Sequence, residues 1–91
     1  MVFRVLLQVN AAKALSKLEN TNRTRIKKAL EELAVDPWKA GKQLNPSTYW
    51  GLREEGDYRV IYEIDIEKNQ VVVIFIGHRK KVYDNFANML Y

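Results

Sequence analysis

Phe3, Val5, Leu7 and Val9 alternate with Arg4, Leu6 and Gln8. That period-two spacing predicts a strand, because successive side chains of an extended chain point to opposite faces. The spacing then changes. Ala11, Ala14, Leu15 and Leu18 recur at i, i+3, i+4 and i+7, the stripe of an amphipathic helix, and Asn10 is suited to cap its start. Asn20-Thr21-Asn22 interrupts and can cap a second helix, in which Ile26, Ala29, Leu30 and Leu33 repeat the same spacing. Pro37 should end that helix, since the residue before a proline is pushed out of the helical region. Two helices separated by so short a break read as an antiparallel hairpin.

From Trp38 to Thr48 the chain carries Gly41, Asn45, Pro46 and Ser47, the punctuation of a loop. Beyond it the character changes again. Tyr49 to Arg53, Tyr58 to Ile66 and Gln70 to Gly77 are rich in Tyr, Val, Ile and Phe, with breaks at Glu55-Gly56-Asp57 and Glu67-Lys68-Asn69. Breaks this short connect antiparallel strands, so the stretch predicts a three-stranded meander. Val71 to Ile76 is apolar at every position and should be a strand covered on both faces. Val82, Phe86 and Met89 or Leu90 fall at helical spacing and predict a short terminal helix. The order β-α-α-β-β-β-(α) describes an α+β domain, with a helical hairpin on a mostly antiparallel four-stranded sheet.

Composition narrows the chemistry. With 91 residues the chain should form one domain, residues 1–91, around a modest core. It has no cysteine and one histidine, His78, which excludes disulfides, thiolate metal sites and cysteine nucleophiles and leaves no basis for a structural zinc site. No apolar run approaches the ~20 residues of a membrane span, and the opening segment is interrupted by Arg4, so a cytoplasmic protein is expected. The net charge is +4, a balance that suits a nucleic-acid or acidic partner without identifying one. Residues 1–45 hold nine basic and four acidic side chains, and residues 46–91 hold six and seven. A cationic site in the second half therefore depends on placement.

Four features carry candidate chemistry, each beside a plainer reading. Arg59 sits in the middle of a strand, on the face shared by Ile61, Glu63 and Asp65; it is either used there or paired with Glu63 or Asp65, since an unpaired buried charge is costly. Gly77-His78-Arg79-Lys80-Lys81 ends the most apolar strand, as an anion site suited to phosphate or as a solvated charge run. On a regular strand His78 and Arg79 point to opposite faces, so a shared site requires a break in the pleat, which Gly77 would permit. Tyr83 can stack on a base or simply pack the terminal helix. Arg23, Arg25, Lys27 and Lys28 crowd the first half of the second helix, where cations oppose the helix dipole; an acidic partner, RNA, or a solvated face would each accommodate them. Glycine-rich phosphate loops, serine triads and metal motifs are absent from the sequence, and no cofactor is expected.

The run Gly51-Leu52-Arg53-Glu54-Glu55-Gly56-Asp57-Tyr58-Arg59-Val60-Ile61-Tyr62-Glu63-Ile64-Asp65, followed by an apolar strand and Gly77-His78-Arg79-Lys80-Lys81-Val82-Tyr83, resembles the RelE/ParE toxins. The opening strand, Ala11 to Leu18 and the Asp36-Pro37-Trp38 close of the second helix are similar too, so the likeness covers nearly the whole chain. It implies a RelE-like fold and the toxin of a type II toxin–antitoxin pair, held inactive by a RelB-like antitoxin. RelE-like members cleave mRNA in the ribosomal A site without a metal, whereas ParE-like members poison DNA gyrase; a non-catalytic RNA-binding module is a third class. Carried over by position, Arg59 matches the arginine that stabilises the transition-state phosphate. Arg79 matches the one that helps the leaving oxygen, and Tyr83 the tyrosine that assists the attacking 2′-hydroxyl. His78 is a candidate fourth member, and Lys42, Arg53, Lys80 and Lys81 are candidate RNA contacts. Some relatives carry lysines in the strand before the hairpin, where this chain has Tyr49, Trp50 and Gly51. Arginine and tyrosine are poor acid–base groups near neutral pH, so the ribosome would have to position the RNA and add electrostatics.

Overall fold

A computed structural model describes residues 2–44, 49–52, 57–78 and 80. The chain runs β1 (Arg4–Leu7), α1 (Val9–Ser16), α2 (Asn20–Val35), α3 (Pro37–Ala40), β2 (Gly41–Gln43), β3 (Trp50–Leu52), β4 (Tyr58–Asp65) and β5 (Gln70–His78). The strands form one mixed sheet in the order β1-β5-β4-β3-β2. β1 pairs with β5 in parallel, Val5 beside Val71 and Leu7 beside Val73, and all other pairings are antiparallel. The α+β class and the meander are as the residue pattern predicts. The sheet has five strands rather than four, because part of the expected loop after Pro37 is a helical turn and a short edge strand. The expected terminal helix from Val82 lies outside the described residues.

Both long helices bury the predicted stripes. Ile26, Ala29, Leu30 and Leu33 of α2 and Ala11 of α1 are buried, with Ala14, Leu15 and Leu18 packed at the margin. Their counterpart is one face of the sheet: Leu52, Val60, Tyr62, Val71, Val73 and Ile76. Each such aliphatic side chain contributes about 1.5–3 kcal/mol when withdrawn from water. The expected asparagine caps are displaced. α1 is preceded by Gln8 and α2 by Glu19, neither with a side-chain capping bond. Arg23 instead joins the helices, donating to the Ser16 carbonyl and the Asn20 side chain. One of the four cations of α2 thus has a structural task, while Arg25, Lys27 and Lys28 are exposed.

Asp36 adopts an extended conformation (φ −152°, ψ 91°), as the residue before a proline must. Its carboxylate accepts the Lys39 N–H at 3.1 Å, so Asp36-Pro37 closes α2 and opens α3 at once. Tyr62 fastens this corner to the sheet. Its hydroxyl donates to the buried Pro37 carbonyl at 2.7 Å, and its ring stacks on Trp50, 6.5 Å between centroids. A side chain at Gly41 would run into the Tyr62 hydroxyl and the Gly51 carbonyl, so only glycine lets β2 approach here. At the far end of β4, the turn to β5 places Asn69 at φ 54°, a conformation asparagine tolerates. Asn69 then holds the first strand, its amide donating to the Val2 carbonyl and its own carbonyl accepting from the Arg4 N–H, both at 3.0 Å.

Candidate functional site

The two faces of the sheet have different contents. Against the helices lie Val60, Tyr62, Val71, Val73 and Ile76; on the other face a second apolar cluster joins Ile61 and Ile74 to Leu44, Tyr49, Val72 and Phe75. Ile74 and Phe75 are consecutive yet share this second face. The cause is a β-bulge. Ile61 pairs with Phe75 and Tyr62 with Val73, so Ile74 is an extra residue with no partner across the ladder. The bulge reverses the alternation along the rest of β5. Ile76 returns to the helix face, Gly77 falls on the second face beside Arg59, and His78 falls on the helix-face side beside Tyr58.

Arg59 therefore emerges on the second face, with glycine opposite it. Its guanidinium donates to the Tyr58 carbonyl at 3.0 Å. Two carboxylates follow along the same face. Glu63 stands across the ladder from Tyr49, and Asp65 accepts the Lys68 N–H at 3.1 Å. Burial, followed by the charge and the hydrogen bond of Glu63, pushes the Tyr49 phenol pKa above its ordinary value.

Lys42 lies in β2, not in a loop, and is exposed. Its pairing partner is Gly51, which in turn pairs with Ile61. Gly41 faces Tyr62 on the helix side, so Lys42, the next residue, points to the second face. The positions where relatives carry lysines divide in the same way. Trp50 turns inward onto Tyr62, while Tyr49 joins the second-face cluster. A cation on the same face, Lys42, stands on the neighbouring strand opposite Gly51.

His78 meets Tyr58 edge to face, 5.7 Å between centroids, and its Nδ1 accepts the Lys80 N–H at 3.2 Å. In the neutral ring this acceptor role leaves the proton on Nε2. Lys80 itself is exposed. The structure thus gathers Lys42, Tyr49, Arg59 and Glu63 on one face and sets His78 on the other side of the strand; the pleat break expected at Gly77 occurs earlier, at Ile74. Arg53, Arg79, Lys81 and Tyr83 lie outside the described residues. Tyr49 and Glu63 are additions that residue spacing did not single out. Their signal was available in the register, because a hairpin that pairs Trp50 with Tyr62 brings Tyr49 opposite Glu63. Among the described residues, no helix is long and apolar enough to cross a membrane.

Comparison with known proteins agrees with this architecture. The chain is similar to the toxin fold in the RelBE toxin–antitoxin complex of Mycobacterium tuberculosis, at 27% identity and a TM-score of 0.80, over 87% of this chain and 100% of that one. It matches a chain of the intact E. coli RelBE complex at 32% identity and TM-score 0.71, over 84% of this chain and 95% of that one. A mutant of E. coli RelE in the free state matches at 29% identity and TM-score 0.78, with both chains covered in full. No match is found among curated proteins. The family model described as the ParE toxin of the parDE type II toxin–antitoxin system matches residues 5–83. With that model spanning the strand, the helical pair and the whole meander, the chain belongs to the RelE/ParE superfamily of type II toxin–antitoxin toxins.

Proposed function

We propose that this toxin is a ribosome-dependent, metal-independent endoribonuclease that cleaves mRNA in the A site, acts in the cytoplasm and is restrained by a RelB-like antitoxin. The observation that carries the reading is Arg59 on the sheet face opposite α1 and α2, with Gly77 beside it and Lys42 two strands away on the same face. A guanidinium so placed can meet a phosphate in two-pronged fashion. Support also comes from the likeness to RelE structures, several of which are complexes with RelB antitoxins.

In this reading the RNA 2′-hydroxyl loses its proton as its oxygen attacks the adjacent phosphorus. The bond to the 5′-oxygen of the next nucleotide breaks, and that oxygen takes up a proton. The products are a 2′,3′-cyclic phosphate and a free 5′-hydroxyl. Arg59 stabilises the charge on the phosphoryl oxygens as the transition state forms. By the family likeness Arg79 serves the leaving oxygen and Tyr83 the attacking hydroxyl. Lys42, Arg53, Lys80 and Lys81 hold flanking phosphates. His78, on the other side of the strand from Arg59, takes a positioning part through its Nδ1 bond to the Lys80 N–H.

Inducing the chain alone should halt protein synthesis within minutes and leave mRNA cut within A-site codons, and co-expression of the cognate antitoxin should restore both. A second reading has its own support. The matching family model is that of ParE, and the strand before the hairpin lacks the lysines of some RelE toxins. Continued synthesis with loss of DNA supercoiling would favour gyrase as the target.

A further inference from the structure

β1 is the outer strand of the sheet, and among the described residues no strand pairs with its far side. The Arg4 N–H donates to the Asn69 carbonyl and the Gln8 N–H to the Val73 carbonyl. Backbone groups alternate in direction along a strand, so Leu6 also turns toward β5, while the N–H and C=O groups of Val5 and Leu7 point outward. The outward N–H of Phe3 is already taken, by the Ala34 carbonyl of α2. Beside this edge, on the helix side of the sheet, lies an open groove of about 280 Å³ lined by Val5, Leu7, Lys27, Leu30, Glu31 and Ala34. Leu6 points to the second face, between Val5 and Leu7 of the core side, and is 38% exposed.

We propose that this edge takes β1 of a second copy of the chain, antiparallel, in a two-fold dimer whose sheet runs on through both molecules. The pairing depends on neither the nuclease nor the gyrase reading. What singles out a second copy is that the edge complements itself. A two-fold axis at Leu6 sets Val5 opposite the second copy's Leu7, and Leu7 opposite its Val5, each pair exchanging two backbone hydrogen bonds. Leu6 then faces Leu6 of the second copy as a non-hydrogen-bonded pair, where side chains approach most closely. Apolar surface now in water is covered there. The two α2 helices fall on the same side of the joined sheet and run in opposite directions. The bond from Phe3 to Ala34 holds the end of α2 at the start of β1, so Glu31 lies toward Val5 and Lys27, one turn back, toward Leu7. The axis therefore turns Lys27 of each copy toward Glu31 of the other, the reciprocal match of an isologous interface. The plainer reading is an open edge, kept to four residues as a guard against pairing.

The test is sedimentation of the full-length protein alone over a range of concentrations, with amide exchange at Val5 and Leu7 followed by NMR on the same samples. Stable interfaces bury roughly 800 Å² per partner. A four-residue strand with one groove is a small contact by that measure, so a weak dimer that grows in with concentration is expected. As it forms, the Val5 and Leu7 amides should exchange more slowly, whereas the Leu6 amide, already turned to β5, should not change. Leu6→Lys sets two like charges across the axis and should weaken association by more than about tenfold, at an unchanged melting temperature. Lys27 and Glu31 are exposed helix positions, which keeps the test readable if Leu6→Lys folds poorly. Lys27→Glu or Glu31→Lys alone should weaken the dimer by roughly threefold, and the two together should restore it, because the match returns with its signs exchanged. A monomer at every concentration would overturn the proposal and leave the edge to an extended segment of another protein. A dimer whose Val5 and Leu7 amides still exchange freely, or one indifferent to the single charge reversals, would overturn it too, by placing the interface elsewhere.

Discussion

The two faces of β4 show how one strand can serve stability and chemistry by turns. Val60 and Tyr62 point to the helices and are fully buried, and the Tyr62 hydroxyl is spent on an internal carbonyl. Arg59, Ile61 and Glu63 point the other way, where a small apolar cluster underlies polar groups. The helix face tolerates no charge and is filled by packing. The second face carries cations that burial against the helices would forbid. What keeps these faces distinct through β5 is the bulge at Ile74, which lets Ile76 rejoin the core after Phe75 has left it.

The sharpest break between the faces should come at Arg59. If it stabilises the phosphoryl transition state, Arg59→Ala lowers single-turnover cleavage of A-site mRNA by about 10²–10³ and leaves the melting temperature nearly unchanged. A drop in melting temperature with normal cleavage by the folded fraction would move Arg59 to the structural side. Tyr62→Phe is the mirror experiment on the same strand. It strands the buried Pro37 carbonyl, which costs about 1–3 kcal/mol of stability, and should leave the cleavage rate per folded molecule intact. A slower rate at full folding would show that the α3 corner communicates with the second face.

The helix stripes and the strand alternation were legible because each has a single period, and Ile26 to Leu33 and Val60 to Tyr62 lie where those periods put them. The bulge was not. From Val71 to Ile76 every residue is apolar, so a slip of one position leaves no trace in the pattern, and with it went the side of the sheet on which His78 falls. β2 was hidden for another reason. Gly41-Lys42-Gln43 has little intrinsic strand preference, and its pairing depends on the absence of a side chain at Gly41 beneath Tyr62. Arg59 was identified as a candidate by its cost in a strand. Tyr49 and Glu63 were not joined as a pair because each is ordinary alone and they meet only across the ladder.

A smaller effect probes Lys42, the cation that β2 lends to the face of Arg59. Lys42→Ala should weaken RNA engagement by about 2–5-fold, the scale of an exposed ionic contact, with no change in melting temperature. Raising the salt should erase most of the difference between variant and wild type, since exposed charges are screened over about 10 Å at 0.1 M. A difference that persists in high salt would give Lys42 a role other than charge.

The mildest expected effect concerns Tyr49 and alkaline pH. Burial and the neighbouring Glu63 raise the phenol's pKa in the folded protein, so folding favours the neutral hydroxyl over the phenolate. The contribution is therefore fully present below the unfolded value near 10 and is lost as the pH rises through the higher folded value. An ultraviolet titration of phenolate formation should show Tyr49 ionising late, and Tyr49→Phe should remove its component. Glu63→Gln takes away the negative charge and leaves only a neutral amide oxygen as acceptor, so the late component should move toward lower pH without disappearing. Stability measured across the same range should fall less steeply in Tyr49→Phe than in the wild-type protein. If Glu63→Gln left the late component where it was, the charge of Glu63 would play no part in it, and burial, the first cause, would account for the shift.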